Sequence, residues 1–161
     1  MSHGEMVPVS DAGFRHGFGV FETVRVKGGK APWWKWHQES IRESARMLGL
    51  KVEIKELEKI PAGDGLWRWF VTETGTRSWW SEGWELPPAS YVLDLATTGI
   101  WSNSWEARYK TLSYLNRIQA KRESVQPDEE RVMLNEKGEM ASASMANLFW
   151  VREGKLRTPM R

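Results

Sequence analysis

The stretch Lys110-Thr-Leu-Ser-Tyr-Leu-Asn-Arg-Ile-Gln-Ala-Lys-Arg-Glu-Ser124 places a lysine directly before a run with helical spacing. Leu112, Leu115 and Ile118 recur along this run, so we expect a helix that begins at Thr111, whose hydroxyl can serve as the N-cap. In most proteins a lysine ahead of a helix is a solvated surface charge. Lys110 is therefore either such a charge or a nucleophile held at the entry of a helix.

The nucleophile hypothesis makes a demand on the surroundings of Lys110. An amine that attacks a carbonyl compound must first lose its proton, although the pKa of a free lysine side chain is about 10.4. The positive end of the expected helix dipole and the nearby Arg108 would both lower the pKa of this amine. Partial burial would act in the same direction. We therefore expect Lys110 to be neutral if it is a nucleophile.

Length and composition exclude several classes of protein. The 161 residues suffice for one large domain or two small ones. A charged fraction of 27% and a net charge of +2 do not indicate a nucleic-acid-binding protein. The absence of cysteine excludes disulfides and thiolate metal sites. No basic leader and no apolar run of about 18 residues is present, which predicts a cytoplasmic protein without a membrane partner.

Tryptophan is unusually abundant, with 11 residues, of which ten occur in clusters. Such rings can stack on nucleic-acid bases, but stacking surfaces normally accompany a basic groove. Here the clusters are flanked by Glu about as often as by Lys or Arg, which favours packing in the core and at a subunit interface. The clusters are Trp33, Trp34 and Trp36; Trp67 and Trp69; Trp79, Trp80 and Trp84; Trp101 and Trp105.

Hydrophobic periodicity and turn residues predict alternating strands and helices. A helix is expected over residues 36–48, with His37 on its apolar face as a hydrogen-bonded packing residue, since no second metal ligand follows at i+4. Residues 11–17 form a predicted loop, and residues 50–60 fit either a strand or a short helix. The predicted strands are 6–10, 19–27, 66–72, 90–95, 131–134 and 147–152, of which 66–72 and 90–95 should be buried.

Three blocks of sequence, taken together, resemble one known family. They are Gly17-Phe-Gly-Val-Phe-Glu-Thr-Val-Arg25, Lys110-Thr-Leu-Ser-Tyr-Leu115, and Ala141-Ser-Ala-Ser-Met-Ala-Asn-Leu-Phe-Trp-Val151 running to Thr158-Pro159. Their order and spacing are similar to those of the class IV (fold-type IV) pyridoxal-phosphate enzymes, which include branched-chain and D-amino-acid aminotransferases and aminodeoxychorismate lyases. The ending Ala-Asn-Leu-Phe-Trp most resembles the lyases.

The resemblance implies an α/β (α+β) architecture in two parts. A small N-terminal α/β domain would span residues 1–96, a linker residues 97–106, and the first part of a β-rich C-terminal domain residues 107–161. The resemblance also implies pyridoxal 5'-phosphate as cofactor, a small amino-acid-like substrate and a homodimer that completes the pocket. It implies no bound metal.

Individual residues take on roles through the same resemblance. Lys110 matches the catalytic lysine that binds the cofactor covalently and later shuttles a proton at the substrate carbon. Tyr114 matches a residue that hydrogen-bonds the phenolic oxygen of the cofactor in some members. Phe21 and its neighbour Glu22 match a substrate-contacting motif, although Glu22 could equally be a cross-strand surface residue. Ser144 belongs to the third block and is expected beside the cofactor.

Three departures from the family pattern leave a second hypothesis open. Ser40 stands where the family usually has an arginine that grips the cofactor phosphate, and a hydroxyl lacks the charge and forked donors of that side chain. Ser142 stands where a glutamate normally keeps the pyridine nitrogen protonated, so the cofactor ring would be a weaker electron sink. The chain is also shorter than family members by well over 100 residues. The alternative to an active enzyme is a truncated or catalytically impaired homologue that keeps the fold and the dimer interface.

Overall fold

The computed structural model describes residues 6–53, 59–83 and 87–159. The chain divides into two compact units. The first unit comprises Met1–Leu86 together with Tyr109–Ser113, and the second comprises Pro87–Arg108 together with Tyr114–Arg161. The short segment 109–113 therefore belongs to the first unit, although its neighbours on both sides in the chain belong to the second.

The first unit is built on a three-stranded antiparallel sheet. Strands β1 (Val20–Val26), β2 (Gly65–Thr72) and β3 (Gly75–Glu82) lie in the order β1-β2-β3. Burial alternates along β1, as expected when successive side chains point to opposite faces of a sheet. Helix α2 (Trp34–Met47) packs against β1 through its buried residues Ile41 and Ala45. The helix thereby covers the apolar face of the sheet.

Tryptophan rings form much of the core between α2 and the sheet. Trp34 stacks on Trp67 with ring centroids 5.5 Å apart, and Trp69 meets both rings edge-on with centroids at 5.2 Å. Trp67 and Trp69 are buried. Offset and edge-to-face ring pairs of this kind stabilise a core beyond the area that they bury. The predicted use of these tryptophans in core packing is confirmed for this cluster.

A buried carboxylate fixes the first helical turn. Helix α1 (Ala12–His16) begins at Asp11, whose side chain accepts hydrogen bonds from the backbone N–H groups of Gly13 and Phe14. The other carboxylate oxygen of Asp11 accepts from the hydroxyls of Thr72 and Thr74. Burial alone would raise the pKa of Asp11, but these hydrogen bonds outweigh it and lower the pKa to about 2.

The second unit contains a mixed three-stranded sheet. Strand β4 (Val92–Leu95) runs parallel to β5 (Glu129–Leu134), and β5 pairs in antiparallel fashion with β6 (Met140–Ala143). Helix α4 (Leu115–Arg122) places Ala120 in a small core with Ile100 and Met133. The remaining elements are helix α3 (Trp105–Arg108) and a hairpin of β7 (Trp150–Arg152) and β8 (Lys155–Arg157).

Most predicted elements are present, but three expectations were wrong. No strand forms over residues 6–10, and the predicted loop 11–17 contains the helical turn α1, because the Asp11 cap holds it. Strand β4 exists, yet all four of its residues are exposed. The apolar residues of β4 predicted burial, but among the described residues no other element packs over its two faces. Strands β3, β6 and β8 were not predicted. Part of the ambiguous stretch 50–60 lies outside the described residues, and so does Trp84.

The division into units also differs from the predicted domain boundaries. Contacts place the end of the first unit at Leu86, earlier than residue 96. The physical reason is that β4 pairs with β5 of the second unit. The predicted linker 97–106 is part of the same unit, where Ile100 lies in the small core and its N–H donates to the carbonyl of Leu134.

The backbone of Trp33 carries strain that a substitution can relieve. Trp33 precedes α2 with φ = 63°, it makes no side-chain cap hydrogen bond, and it is 72% exposed. The left-handed conformation costs a non-glycine residue about 1–2 kcal/mol. We expect Trp33→Gly to raise the free energy of unfolding by about 0.5–1 kcal/mol after the greater entropy of unfolded glycine is included.

Chemical denaturation followed by circular dichroism measures this change. The matched control is Trp36→Gly, which replaces another exposed tryptophan but lies inside α2. Glycine inside a helix should lower the stability by about 0.5–1 kcal/mol. Equal losses in both variants would show that the conformation of Trp33 is not strained.

Candidate functional site

The backbone of Lys110 is held against the free edge of β1. Thr111 forms an antiparallel bridge with Val20. On one side of this bridge the N–H of Phe21 donates to the carbonyl of Lys110 at 2.8 Å, and on the other the N–H of Leu112 donates to the carbonyl of Gly19 at 2.9 Å. The segment that carries the lysine is therefore the fourth extended segment of the first unit's sheet.

Two glycines of the first block allow this close approach. A Cβ atom on Gly19 would lie 2.6 Å from Cδ1 of Leu112 and 2.7 Å from the carbonyl oxygen of Val71, so a larger residue would displace the Leu112 side chain and clash with the backbone of β2. Gly17 ends helix α1 with φ = 69°, a conformation that glycine adopts without strain. The Gly-Phe-Gly pattern thus serves the placement of Lys110.

Glu22 lies on the buried face of β1, between valines that belong to the core. Its side chain is 2% exposed. One oxygen, Oε1, accepts from Nζ of Lys110 at 2.8 Å, lies 3.3 Å from Nδ1 of His37, and accepts from the N–H of Thr23 at 3.2 Å. Three donors from three different parts of the first unit therefore converge on one carboxylate oxygen.

The charge of Glu22 depends on these partners. Burial alone would raise the pKa of Glu22, but the hydrogen bond from His37, the positive charge and hydrogen bond of Lys110, and a contribution from the hydroxyl of Ser40 outweigh it. Together they lower the pKa of Glu22 to about 2. Glu22 is therefore a buried anion at neutral pH.

The expected surroundings of Lys110 require a correction. Helix α4 begins at Leu115 after Tyr114, so Thr111 is not an N-cap and Lys110 does not lie at a helix entry. The guanidinium of Arg108 donates to the side chain of Asn103 and belongs to the second unit. In place of the two expected positive neighbours, the amine of Lys110 has the carboxylate of Glu22 beside it. The expected neutral form of this amine stays a prediction.

Lys110 nevertheless remains accessible to a reactant. Its side chain is 50% exposed, although its amine is bonded to Glu22. The hydroxyl of the adjacent Thr111 is buried and has no hydrogen-bond partner among the described residues. A buried polar atom without a partner is uncommon and needs an explanation, such as a bound water or ligand. The side chain of Lys110 is thus reachable, whereas the unused hydroxyl of Thr111 lies on the buried face of the sheet.

Phe21 and Glu22 lie on opposite faces of β1. Glu22 shares its face with Val20 and Val24, whereas Phe21 is half-buried on the other face. Neighbouring strand residues cannot point into the same space. The side chain of Phe21 therefore points away from the Glu22 cluster, which consists of Glu22, Lys110, His37 and Ser40. The suggested pairing of Phe21 and Glu22 against one substrate stays a prediction that this geometry does not favour.

Ser40 takes part in the Glu22 cluster. It lies one helical turn after His37 on α2, and its hydroxyl contributes to the lowered pKa of Glu22. Its carbonyl accepts a hydrogen bond from the hydroxyl of Ser44 at 2.8 Å. Its expected contact with a cofactor phosphate stays a prediction.

The serines of the third block have protein partners in the second unit. The hydroxyl of Ser142 accepts from the guanidinium of Arg117 at 2.8 Å and donates to the carbonyl of Ala143 at 2.9 Å. Ser144 is fully buried and its hydroxyl donates to the carboxylate of Glu130. Both hydroxyls are therefore engaged, and their expected roles toward a cofactor stay predictions.

Tyr114 lies close to the same arginine. The guanidinium carbon of Arg117 is 5.5 Å from the centroid of the Tyr114 ring, within the range of a cation–π contact. The expected hydrogen bond from Tyr114 to a cofactor stays a prediction.

Sequence reasoning missed two parts of these clusters. His37 was expected to be a hydrogen-bonded packing residue, which is confirmed. Its partner Glu22 could not be found without knowing how helix α2 packs on strand β1. Arg117 was not singled out at all. It also donates to the carbonyl of Ala143 at 3.0 Å, and no signal in the sequence connects it to residues 142 and 143.

The described part of the chain contains neither a metal-binding cluster nor a membrane-spanning helix. Across residues 6–53, 59–83 and 87–159, no group of three or more His, Cys, Asp or Glu side chains is placed to hold a metal ion. Within the same residues, no helix has the length and apolar character needed to cross a membrane.

Comparison with known proteins identifies the family. Residues 76–161 match the model of the family described as amino-transferase class IV, and the chain belongs to this family. The chain is 26% identical to an aminodeoxychorismate lyase of Vibrio harveyi over 191 residues, which cover 95% of this chain and 66% of the relative. The chain thus spans about two thirds of the length of that relative.

Solved structures show the same fold. The 4-amino-4-deoxychorismate lyase from Pseudomonas aeruginosa superposes with a TM-score of 0.78 at 21% identity, covering 97% of this chain and 67% of that one. An aminotransferase from Brucella abortus bound to the cofactor PLP gives a TM-score of 0.79 at 18% identity, covering 99% and 67%. The expected fold type IV architecture is confirmed.

The Glu22 cluster makes the stability depend on pH. Because the pKa of Glu22 is about 2 in the folded protein and 4.5 ordinarily, its contribution is fully present above pH 4.5 and is lost as the pH falls toward 2. We expect Glu22→Gln to lower the free energy of unfolding near pH 7 by about 1–3 kcal/mol, since it leaves the partners of a buried charge unpaired. The loss should be much smaller near pH 3.

Urea denaturation at the two pH values measures both effects. The matched control is Glu39→Gln, which removes an exposed glutamate from the same helix as His37. Asp11, whose pKa is also lowered, keeps part of the acid sensitivity in every variant. A loss that is equal at both pH values would contradict the ionised state of Glu22.

Proposed function

We propose that this chain carries the cofactor lysine of a pyridoxal-phosphate-dependent enzyme that transforms an amino-acid-like substrate, either as an aminotransferase or in the manner of a 4-amino-4-deoxychorismate lyase. The observation that carries the proposal is the position of Lys110. Its backbone is bonded to β1, its amine donates to Glu22, and its side chain is half exposed. Membership of the class IV family supplies the cofactor class.

The residues around Lys110 fit the covalent attachment of such a cofactor. The side chain of Lys110 is half exposed, and its segment is held along β1 by two backbone hydrogen bonds. When bound, pyridoxal phosphate supplies a conjugated ring that draws electrons from the substrate carbon next to the amine. Lys110 would hold this group and move a proton at that carbon, and Glu22 would hold the amine in place.

The other expected cofactor residues offer less. Neither Ser40 nor Ser142 brings the positive or negative charge that phosphate and pyridine groups favour, and both hydroxyls interact with protein groups. We therefore propose a cofactor held chiefly by its bond to Lys110 and bound more weakly than by an arginine-containing site. The family resemblance adds further parts to the proposal. Phe21, on the face of β1 opposite Glu22, would contact a small amino substrate. The protein would act as a homodimer in the cytoplasm.

Cofactor attachment can be tested directly. We expect the protein mixed with pyridoxal phosphate to develop visible absorption, and borohydride reduction to leave a stable mass increase on the peptide that contains Lys110. Lys110→Ala should abolish both signals, because it removes the amine to which the cofactor is proposed to bind. Lys35→Ala, which removes an exposed lysine of the same unit, should leave both signals intact.

Labelling spread evenly over exposed lysines, with no preference for Lys110, would contradict the proposal. It would favour instead a homologue that keeps the fold without the chemistry.

The role of position 40 can be tested by titration of the same absorption band. We expect Ser40→Arg to tighten cofactor binding on the order of tenfold, since a charge-assisted contact to phosphate is worth about 1.5–3 kcal/mol and part of it is lost to solvent screening. Ser40→Ala is the control and should change the affinity little. Equal affinities for the arginine and alanine variants would show that position 40 does not face the phosphate.

A further inference from the structure

We propose that Glu22 and His37 are positioning residues for Lys110: His37 fixes the carboxylate of Glu22, and that carboxylate holds the amine of Lys110 against β1. The role of this cluster in a reaction rests on the function proposed above. The positioning itself is a property of the unliganded first unit and can be measured without any cofactor.

The first argument is the cost of burying Glu22. The carboxylate lies on the face of β1 that also presents Val20, Val24 and Val26 to the core, and these valines are at most 1% exposed. A buried ionised carboxylate is strongly unfavourable unless it is paired and hydrogen-bonded. An apolar residue would serve the packing of this face better, so packing alone does not account for a glutamate here.

The second argument is the geometry of the partners. Lys110 and His37 approach the same oxygen from the segment 109–113 and from α2, at 2.8 Å and 3.3 Å. His37 is mostly shielded from solvent and is held by the helix, so it restricts the rotation of the glutamate side chain. A lysine has four rotatable bonds, and a fixed acceptor removes much of their freedom.

The third argument is that backbone and head of Lys110 are fixed by the same strand. The carbonyl of Lys110 accepts from the N–H of Phe21, and its amine donates to the side chain of Glu22, the next residue of β1. An ordinary surface ion pair lacks such a double attachment and contributes little. A lysine whose backbone and amine are both held, while half of its side chain is exposed, is preorganised at a reachable position.

The rate at which trinitrobenzenesulfonate labels Lys110, read by peptide mass spectrometry near pH 8, tests the proposal. This reagent attacks only the neutral form of an amine. In Glu22→Gln we expect the rate at Lys110 to rise roughly tenfold, because the amine is no longer held by a hydrogen bond to a buried carboxylate. The rate at Lys35 in the same digest serves as the internal reference and should not change.

Two variants of His37 separate positioning from packing. His37→Asn keeps an N–H donor near the position of Nδ1 and should label like the parent protein. His37→Leu keeps volume but loses the donor, so we expect a rise of about threefold at Lys110. The control is Asp11→Asn, which perturbs another buried carboxylate of the same unit without contact to Lys110 and should leave the labelling rate unchanged.

The outcomes decide the proposal independently of the cofactor. A Lys110 rate that is unchanged in Glu22→Gln, or equal rises in His37→Asn and His37→Leu, would overturn it. Should Glu22→Gln fail to fold, the comparison of the two His37 variants still decides. If the parent protein shows the labelling pattern but forms no adduct with pyridoxal phosphate, the proposed function fails while the positioning stands.

Discussion

The buried carboxylate of Glu22 is the constraint on which the first unit depends. It lies among core valines, and it is tolerated there because a lysine, a histidine and a backbone N–H all donate to it or lie beside it. The three partners of Glu22 belong to three different parts of the unit. Helix α2, strand β1 and the segment 109–113 are thereby joined through one oxygen atom.

The same segment sets the organisation of the chain. Residues 109–113 pair with the edge of β1, while the residues before and after them build the second unit. Close approach at Gly19 makes this pairing possible, because a side chain there would meet Leu112 and the backbone of Val71. Two of the three sequence blocks that resemble the family therefore have a structural explanation in the first unit. The block at residues 17–25 supplies the edge strand β1, and the block that begins at Lys110 supplies the segment that pairs with it.

Sequence reasoning succeeded where periodicity was strong and failed where contacts decide. Strands β1, β2 and β5 and helix α2 follow from alternating or helical patterns of apolar residues, and the resemblance of the three blocks gave the fold type. The helix start was misplaced because Leu112 packs beside Gly19 in an extended segment, although its spacing fits a helix. The exposure of β4 and the partner of Glu22 depend on which elements lie next to them, and no local pattern records that information.

The expected neighbours of Lys110 were wrong for a related reason. A helix start and Arg108 are close to Lys110 in the sequence, whereas the charged group that contacts its amine is Glu22, far away along the chain. Residues nearby in the sequence therefore did not reveal this partner. The family resemblance singled out Lys110, but only the folded structure shows that Glu22 contacts its amine.

Because the edge partner of β1 is contributed from beyond residue 108, the first unit is not a contiguous piece of polypeptide. Residues 6–83 synthesised alone would contain the anion of Glu22 but not the ammonium that neutralises it, so completion of this sheet must wait for a later part of the chain. During translation the nascent sheet would remain open at one edge until some thirty further residues had emerged from the ribosome, an interval of a few seconds at about 5–20 residues per second.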